Sequence, residues 1–503
     1  MPKRVLIFGD HPLAPQLVRQ FEQAEAQVTV CHSLQVPTET TVPDELAVLS
    51  EDDTATHYFL VNLATLWEGR RPDRPLVHLL LKQASSLHMY QQVDFPEVVN
   101  RVFEVYPFTM EEAWSNQVVV RLPGIMDHPH PALDRKPIMA DSDQFVHLAI
   151  AGFDAYALAV AVKAANVAHY PNYDGKQPQP LRTRISLIGP RTGADRNAFM
   201  ARFQTLFEQS FYRTVDLEAQ TSQLHHPQYE GKREDFVDVE WEFIDGELSH
   251  PVMAQKLKLW ALDPRRQFTL VLSDGQDSVN IERALSLPKE IYGQNIPVWV
   301  RQKKDMLTGV AGRTPKYKNL ISFGMEDSGY DVRLPAVRLS RLLHYCYSCI
   351  SARKEIPTVF LPEEVEAKWR EVTCLKMRMA NVSSIETMAT KMHSLGHDPE
   401  DARTFYALDR EEIDSLSRCE HNRWCVERLM AGMRPCTDEE RERVGKDITF
   451  KGVFKKESEA HYDLCAYDDL GADEKGIDVR EYDRLLVASI PLMTATCLEE
   501  ESL

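Results

Sequence analysis

Twice in this chain an apolar run ends in one glycine and passes directly into an amphipathic stretch, and few folds are open to such a sequence. The first copy reads RVLIFG, then DHPLAPQLVRQFEQAEA, then QVTVCHS; the second reads FVHLAIAG, then FDAYALAVAVKAANVAHYPN, then RTRISLIG. Strand, tight turn, helix and second strand open a parallel βαβ unit, because parallel neighbours need a crossover long enough to hold a helix. The expected fold class is α/β, with two doubly wound parallel-sheet domains.

Further strands are expected in the first unit at 57–63 (HYFLVNL) and 117–122 (QVVVRL), with LVHLLLKQASSL as a helix between them. Residues 123–143 are rich in proline, histidine and aspartate, which is connector chemistry. In the second unit a long helix is expected from residue 195 to about 211, and VDVEWEFI, FTLVLS, PVWVR and NLISFG add strands before strand signals fade. The reading is a first domain over 1–130, a second over 144–335, a helical linker over 336–414 and a small, mainly helical module over 415–495. A chain of 503 residues accommodates several such units.

Acidic side chains outnumber basic ones by 76 to 58, giving a net charge of -18. That field repels a polyanionic backbone, so generic nucleic-acid binding is not expected. The most apolar windows fall short of the roughly 20 residues that span a bilayer, so no membrane insertion is expected either. The start, MPKRVLIFGD, carries no secretory pattern, and nine scattered cysteines make no disulfide framework. A reducing, cytoplasmic setting follows, with Cys346 and Cys349 as two packed thiols on a helix.

Rossmann-like dinucleotide turns place a pyrophosphate on a helix N-terminus, and they need glycines so that the backbone can approach it. The first turn keeps Gly9 but places His11 where the second glycine would stand, so the imidazole is expected to fill the pyrophosphate's space. The second keeps Gly152 and follows it with Asp154; behind the next strand stand Arg191, Thr192 and Arg196, residues suited to a phosphate. No G-x-S-x-G, P-loop or H-E-x-x-H occurs, and His225 and His226 are expected in a loop. No catalytic or metal-binding residue is therefore assigned.

AGFDAYALAVAVKAANVAH, FTLVLSDGQDSVNIERAL and IPVWVR together resemble the TrkA N-terminal or RCK class of nucleotide-binding regulatory domains. The resemblance implies a cofactor that is NAD or an adenine nucleotide, with Asp274 on the strand and turn that reports on it.

Near the C-terminus, EHNRWCVERLMAG sets His421, Arg423, Trp424 and Glu427 on one helix, with Arg423 and Glu427 an i,i+4 pair. An aromatic, a histidine and an arginine together suit a base and a phosphate. The segment is similar to the E-H-x-R-W-x-x-E-K-x-x-A-G run of bacterial ryanodine receptor repeat domains, and HYDLCAYDDL and EYDRLLVASIP agree with that family's second half. Met433 and the inserted GIDVRE depart from its pattern. The resemblance implies a ligand surface over His421, Arg423, Trp424, Glu427, Tyr467, Asp483 and Arg484, in a groove closed by residues 461–467. Arg423 is expected at the surface, with little effect on stability.

The function these features imply is a non-catalytic sensor or regulator of a nucleotide-like small molecule, in nucleotide signalling, ion-transport regulation or antiviral defence, working as a homo-oligomer or with a protein partner. An NAD(P)-dependent oxidoreductase and a structural adaptor are the rival readings.

Overall fold

The structure, a computed structural model, describes residues 2–36, 41–122, 126, 128–190, 192–227, 235–307, 309, 313–397 and 407–501. Five strands, β1 (Arg4–Phe8), β2 (Gln27–Cys31), β3 (Glu45–Val48), β4 (Leu76–Leu80) and β5 (Glu104–Phe108), form one sheet in the order β2-β1-β3-β4-β5. Every pairing in it is parallel. The period of two along each strand assigns side chains to opposite faces. Val5, Ile7, Ala47 and Leu49 pack with helix Ala14–Gln23, whereas Phe8, Leu46 and Val48 pack with helix Asp53–Trp67. Both faces are covered, so these strands read as continuous apolar runs.

The second sheet has eight strands: β6 (Phe145–Ala151), β7 (Thr183–Gly189), β8 (Tyr212–Asp216), β9 (Thr221–His225), β10 (Val239–Asp245), β11 (Arg266–Leu272), β12 (Val298–Arg301) and β13 (Leu320–Phe323). Their order is β13-β12-β11-β6-β7-β10-β8-β9, and only the β8–β9 hairpin is antiparallel. The two sheets share no strand, and residues 123–143 lie between them in sequence.

Gly9 and Gly152 do the same work at the two first turns. Gly9 has φ +106 and Gly152 φ +142, and a Cβ on either would lie 1.9 Å from the Leu49 carbonyl oxygen or 1.6 Å from that of Ser273. Only glycine lets the neighbouring strand come so close.

Three expectations fail in the first domain. Residues 57–63 are helical, within Asp53–Trp67, because the Asp52 carboxylate caps the amides of Thr54 and Ala55 and the buried Phe59, Leu60, Leu63, Ala64 and Trp67 recur at helical spacing. Residues 117–119 end the helix Met110–Val119, capped by Thr109, so packing against helix Ala155–Val167 overrides the β preference of Val118 and Val119. LVHLL is the strand β4, buried on both faces. In the second domain His225 closes a strand rather than lying in a loop, and the long helix expected from 195 is two, Thr192–Arg202 and Gln204–Gln209.

Beyond β13 the chain crosses to the first sheet. Tyr330 stacks on Phe108 at 3.7 Å, its hydroxyl lies 2.9 Å from His78 Nδ1, and its carbonyl accepts from Gln16 and Gln20. Trp114 Nε1 donates to the Met325 carbonyl at 2.8 Å. The remaining described chain is mainly helical: Pro335–Ser351, Pro362–Arg370, Leu375–Ile385, Met388–His393, Arg410–Met430, Asp438–Lys446, Phe450–Glu457 and Arg480–Glu501. Cys346 and Cys349 are buried free thiols on the first of these. One apolar interior runs through Ile7, Ile150, Leu343, Leu429 and Ile490, so both sheets and the C-terminal helices share it.

Replacing Gly69 by alanine, at φ +72 with nothing within 4 Å, adds only left-handed strain, about 1–2 kcal/mol. Gly152→Ala adds the collision with Ser273 to that strain, so its urea midpoint should fall clearly below that of Gly69→Ala. Equal midpoints would show that the turn relaxes without penalty.

Candidate functional site

The helix Arg410–Met430 is polar in composition yet central in position. It starts with a capping box, in which the Asp409 carboxylate accepts from the amides of Glu411 and Glu412 while the Glu412 carboxylate accepts from the Asp409 amide. It then packs against Ala155–Val167, Gln204–Gln209, Leu375–Ile385 and Arg480–Glu501. Glu420, His421, Asn422 and Arg423 are all buried as a result. Buried polar groups need partners, and the neighbouring helices supply them.

Arg423 Nε donates to Glu420 Oε1 at 2.9 Å, Nη1 to Glu427 Oε2 at 2.7 Å and Nη2 to the Ser384 hydroxyl at 3.1 Å. Lys391 Nζ lies 2.8 Å from Glu420 Oε2 and also donates to the Thr387 hydroxyl. Burial alone would push the Glu420 carboxyl up, but Arg423 and Lys391 outweigh it and hold the group down to about 2. Arg423 is thus a buried structural cation, 1% exposed, and its expected place at the surface is corrected. Asn422 Nδ2 reaches Asp238 Oδ2 at 3.4 Å, and Asp238 holds His169 at 2.8 Å, joining the helix to the second sheet.

Beside this network lies a cavity of about 410 Å³, lined by His421, Trp424, Glu427, Arg428, Lys455, His461 and Asp483 among others. His421 Nε2 donates to the Cys465 carbonyl at 2.8 Å, which fixes the tautomer and turns Nδ1 toward Asp483 Oδ2 at 3.8 Å. The partly exposed Trp424 ring lies nearly parallel to His421 at 5.8 Å, meets His461 edge-on at 4.8 Å and carries the Arg428 guanidinium at 5.7 Å.

The charges in the cavity divide unequally. Asp463 is paired with Lys451 at 2.9 Å, Asp473 accepts from the Tyr482 hydroxyl, and Glu420 and Glu427 are held by Arg423. Burial, reinforced by Glu420, raises the Asp483 carboxyl well above the usual range. Burial, then Lys455 and Arg428, pushes His461 down to about 3. Lys455 has no ion-pair partner among the described residues, and Arg428 stands 3.6 Å from Glu427. An aromatic plane, two imidazoles lowered by burial, a carboxyl raised by burial and two weakly compensated cations therefore face one space.

The other expected residues lie elsewhere. Tyr467 is buried edge-on to His421, and Arg484 forms partly exposed pairs with Asp414 and Glu481; neither lines the cavity. His11 Nδ1 accepts from the Leu13 amide. Asp154 caps its own helix through the Ala157 amide and accepts from the Ser273 hydroxyl at 2.6 Å. Asp274 accepts from the Gln276 amide and faces Arg283 at 3.5 Å. With Gly9 and Gly152, these turn residues stand apart from the cavity. Arg191 lies outside the described residues. Lys455, Lys391 and Ser384 belong to the site although no motif marked them, whereas His461 was marked only as the start of the segment closing the groove.

Among the described residues no three His, Cys, Asp or Glu side chains could hold a metal ion, and no helix is long and apolar enough to cross a membrane. No family model matches the chain, and no curated protein matches it.

Arg423→Ala should destabilise the protein by about 3–5 kcal/mol, because it removes the buried partner that Glu420 and Glu427 share and leaves Lys391 alone to hold Glu420. Arg484→Ala should change it by only about 0–1 kcal/mol, and urea titration of both variants distinguishes them. His461 contributes a pH dependence of known sign. Its folded form refuses a proton down to about 3, whereas the unfolded chain accepts one near 6.5. The advantage is complete above 6.5 and shrinks as pH falls toward 3, by at most about 1.4 kcal/mol per unit. Wild type should accordingly lose stability faster than His461→Gln between pH 7 and 4; parallel curves would contradict this assignment.

Proposed function

We propose that this chain is a non-catalytic sensor whose C-terminal module, of ryanodine receptor repeat type, holds a nucleotide-like small molecule in the Trp424 cavity. The observation that carries the reading is the cavity's composition: a ring-sized aromatic face beside Arg428 and Lys455, in a molecule of net charge -18. Trp424 and His421 offer planes for a base, and the two cations suit a phosphate. The domains in front support it. In the second sheet, the run β10-β7-β6-β11-β12-β13 has the 3-2-1-4-5-6 order of dinucleotide-binding folds, in keeping with the TrkA N-terminal resemblance. The first sheet has the 2-1-3-4-5 order of the flavodoxin type. An oxidoreductase would bind at the glycine turns, where Asp154 and His11 already serve their own backbone.

The test is a thermal-shift panel of AMP, ADP-ribose, NAD and cyclic di-AMP on the full chain. A ligand at 100 times its Kd adds about 2.7 kcal/mol of stability. At least one of these should raise Tm, and the rise should disappear in Trp424→Leu and in the Arg428→Ala, Lys455→Ala double variant. A flat panel favours the adaptor, and a shift that survives Trp424→Leu removes the module as the site.

A further inference from the structure

A second cavity, of about 350 Å³, adjoins the first, and Ala380, Glu427 and Arg428 line both. Its walls come from every part of the chain: Leu87 and Glu112 from the first domain, Leu158, Phe199 and Phe203 from the second, and Lys376 from the helices between. Most of this surface is apolar, and Phe199 and Phe203 meet edge-on at 5.2 Å to form an aromatic corner. A chamber of this size and lining suits a flat, weakly polar ring.

Cations line both chambers, and Arg428 is common to the two. Arg202 and Lys376 line the second, and neither has an ion-pair partner among the described residues. Arg428 lines both and Lys455 the first. His88, also in the wall, is pushed down by burial, then by Arg202 and Lys376, while Lys455 is lowered by burial, then by Arg428, with Lys376 contributing. Lys376 is therefore close to both groups. The lining carboxylates do not cancel this row. Glu386 holds Lys163 at 2.6 Å, Glu427 holds Arg423, and burial raises Glu112 to about 7; Glu111 alone faces the cations without a partner among the described residues.

We infer that the two cavities are one composite site for a dinucleotide, two ring systems joined by phosphates, with one ring on Trp424, the phosphates along Arg428 and Lys376, and the second ring among Leu158, Phe199 and Phe203. The inference rests on the Trp424 reading and adds the class of ligand: a mononucleotide fills one chamber and leaves Arg202 and Lys376 without an anion. Phosphates joined by a pyrophosphate and by a phosphodiester satisfy the same cations, so both kinds belong in the test.

Calorimetric titration of the full chain with AMP, NAD and cyclic di-AMP decides it. At least one of the two dinucleotides should bind about tenfold or more tightly than AMP. Ala159→Trp, which fills the second chamber, and Lys376→Ala should each erase that advantage while leaving AMP affinity within about twofold of wild type. Lys376→Ala keeps the test valid if Ala159→Trp does not fold. AMP bound as tightly as both dinucleotides, or an advantage that survives both variants, overturns the composite site and leaves the Trp424 reading standing. No binding of any of the three by the folded protein overturns both.

Discussion

The buried cluster of Glu420, Arg423 and Lys391 fixes where everything else around the C-terminal module can go. Three charges leave water together, and their mutual attraction offsets the loss only because Ser384, Thr387 and Glu427 complete the hydrogen bonding. The donors sit on three helices, so the cluster is satisfied in one docking arrangement and penalised in any other. A helix as polar as Arg410–Met430 could not occupy the middle of the molecule without it. With the cluster in place, Trp424 and Arg428 are carried on the same helix to the cavity wall, and both cavities inherit their shape from this docking.

The sheets are separate as hydrogen-bonded units but not as packed ones. The face of the first sheet that carries Val5 and Ile7 and the face of the second that carries Leu148 and Ile150 enter the same interior as Leu429 and Ile490. Tyr330 ties that interior across the chain by a stacked ring, a hydroxyl and a carbonyl. A ligand in the cavity bounded by Leu87, Phe199, Lys376 and Arg428 touches all four sections simultaneously. Such a ligand changes their arrangement to the extent that it prefers one arrangement over another. A site confined to one domain would have no such reach.

How far the sequence revealed this depended on whether a signal was local. The glycine turns were legible because the requirement at Gly9 and Gly152 is set by backbone sterics within one βαβ unit. The i,i+4 pairing of Arg423 and Glu427 was legible from spacing. HYFLVNL misled because a seven-residue run with five apolar side chains fits either period, and the cap that decides between them, Asp52, lies outside the window. The edge hairpin β8–β9 was missed because exposed strands such as TSQLH carry no apolar run. Burial of Arg423 was illegible because Ser384, which accepts from it, and Lys391, which shares Glu420 with it, sit on two helices that sequence presents as linker. A charged residue reads as surface until the opposite charge that faces it is known.

The net charge of -18 opposes an anionic ligand at long range, and the proposed site answers that opposition locally. At physiological salt the field of exposed carboxylates fades over about 8 Å, so charges on the far surfaces act only weakly inside the cavities. There three of the carboxylates are already committed, Glu427 to Arg423, Asp463 to Lys451 and Glu386 to Lys163, and Glu111 is left among the cations. Burial raises the Asp483 carboxyl, which favours its uncharged form. Uncommitted cations in a partly desolvated space attract an anion more strongly than the same cations would in water, because the local dielectric is lower. Under the proposed reading the acidic exterior would act as a filter, repelling long polyanions, which must approach over a wide surface, while a small anion could reach Arg428, Lys376 and Lys455.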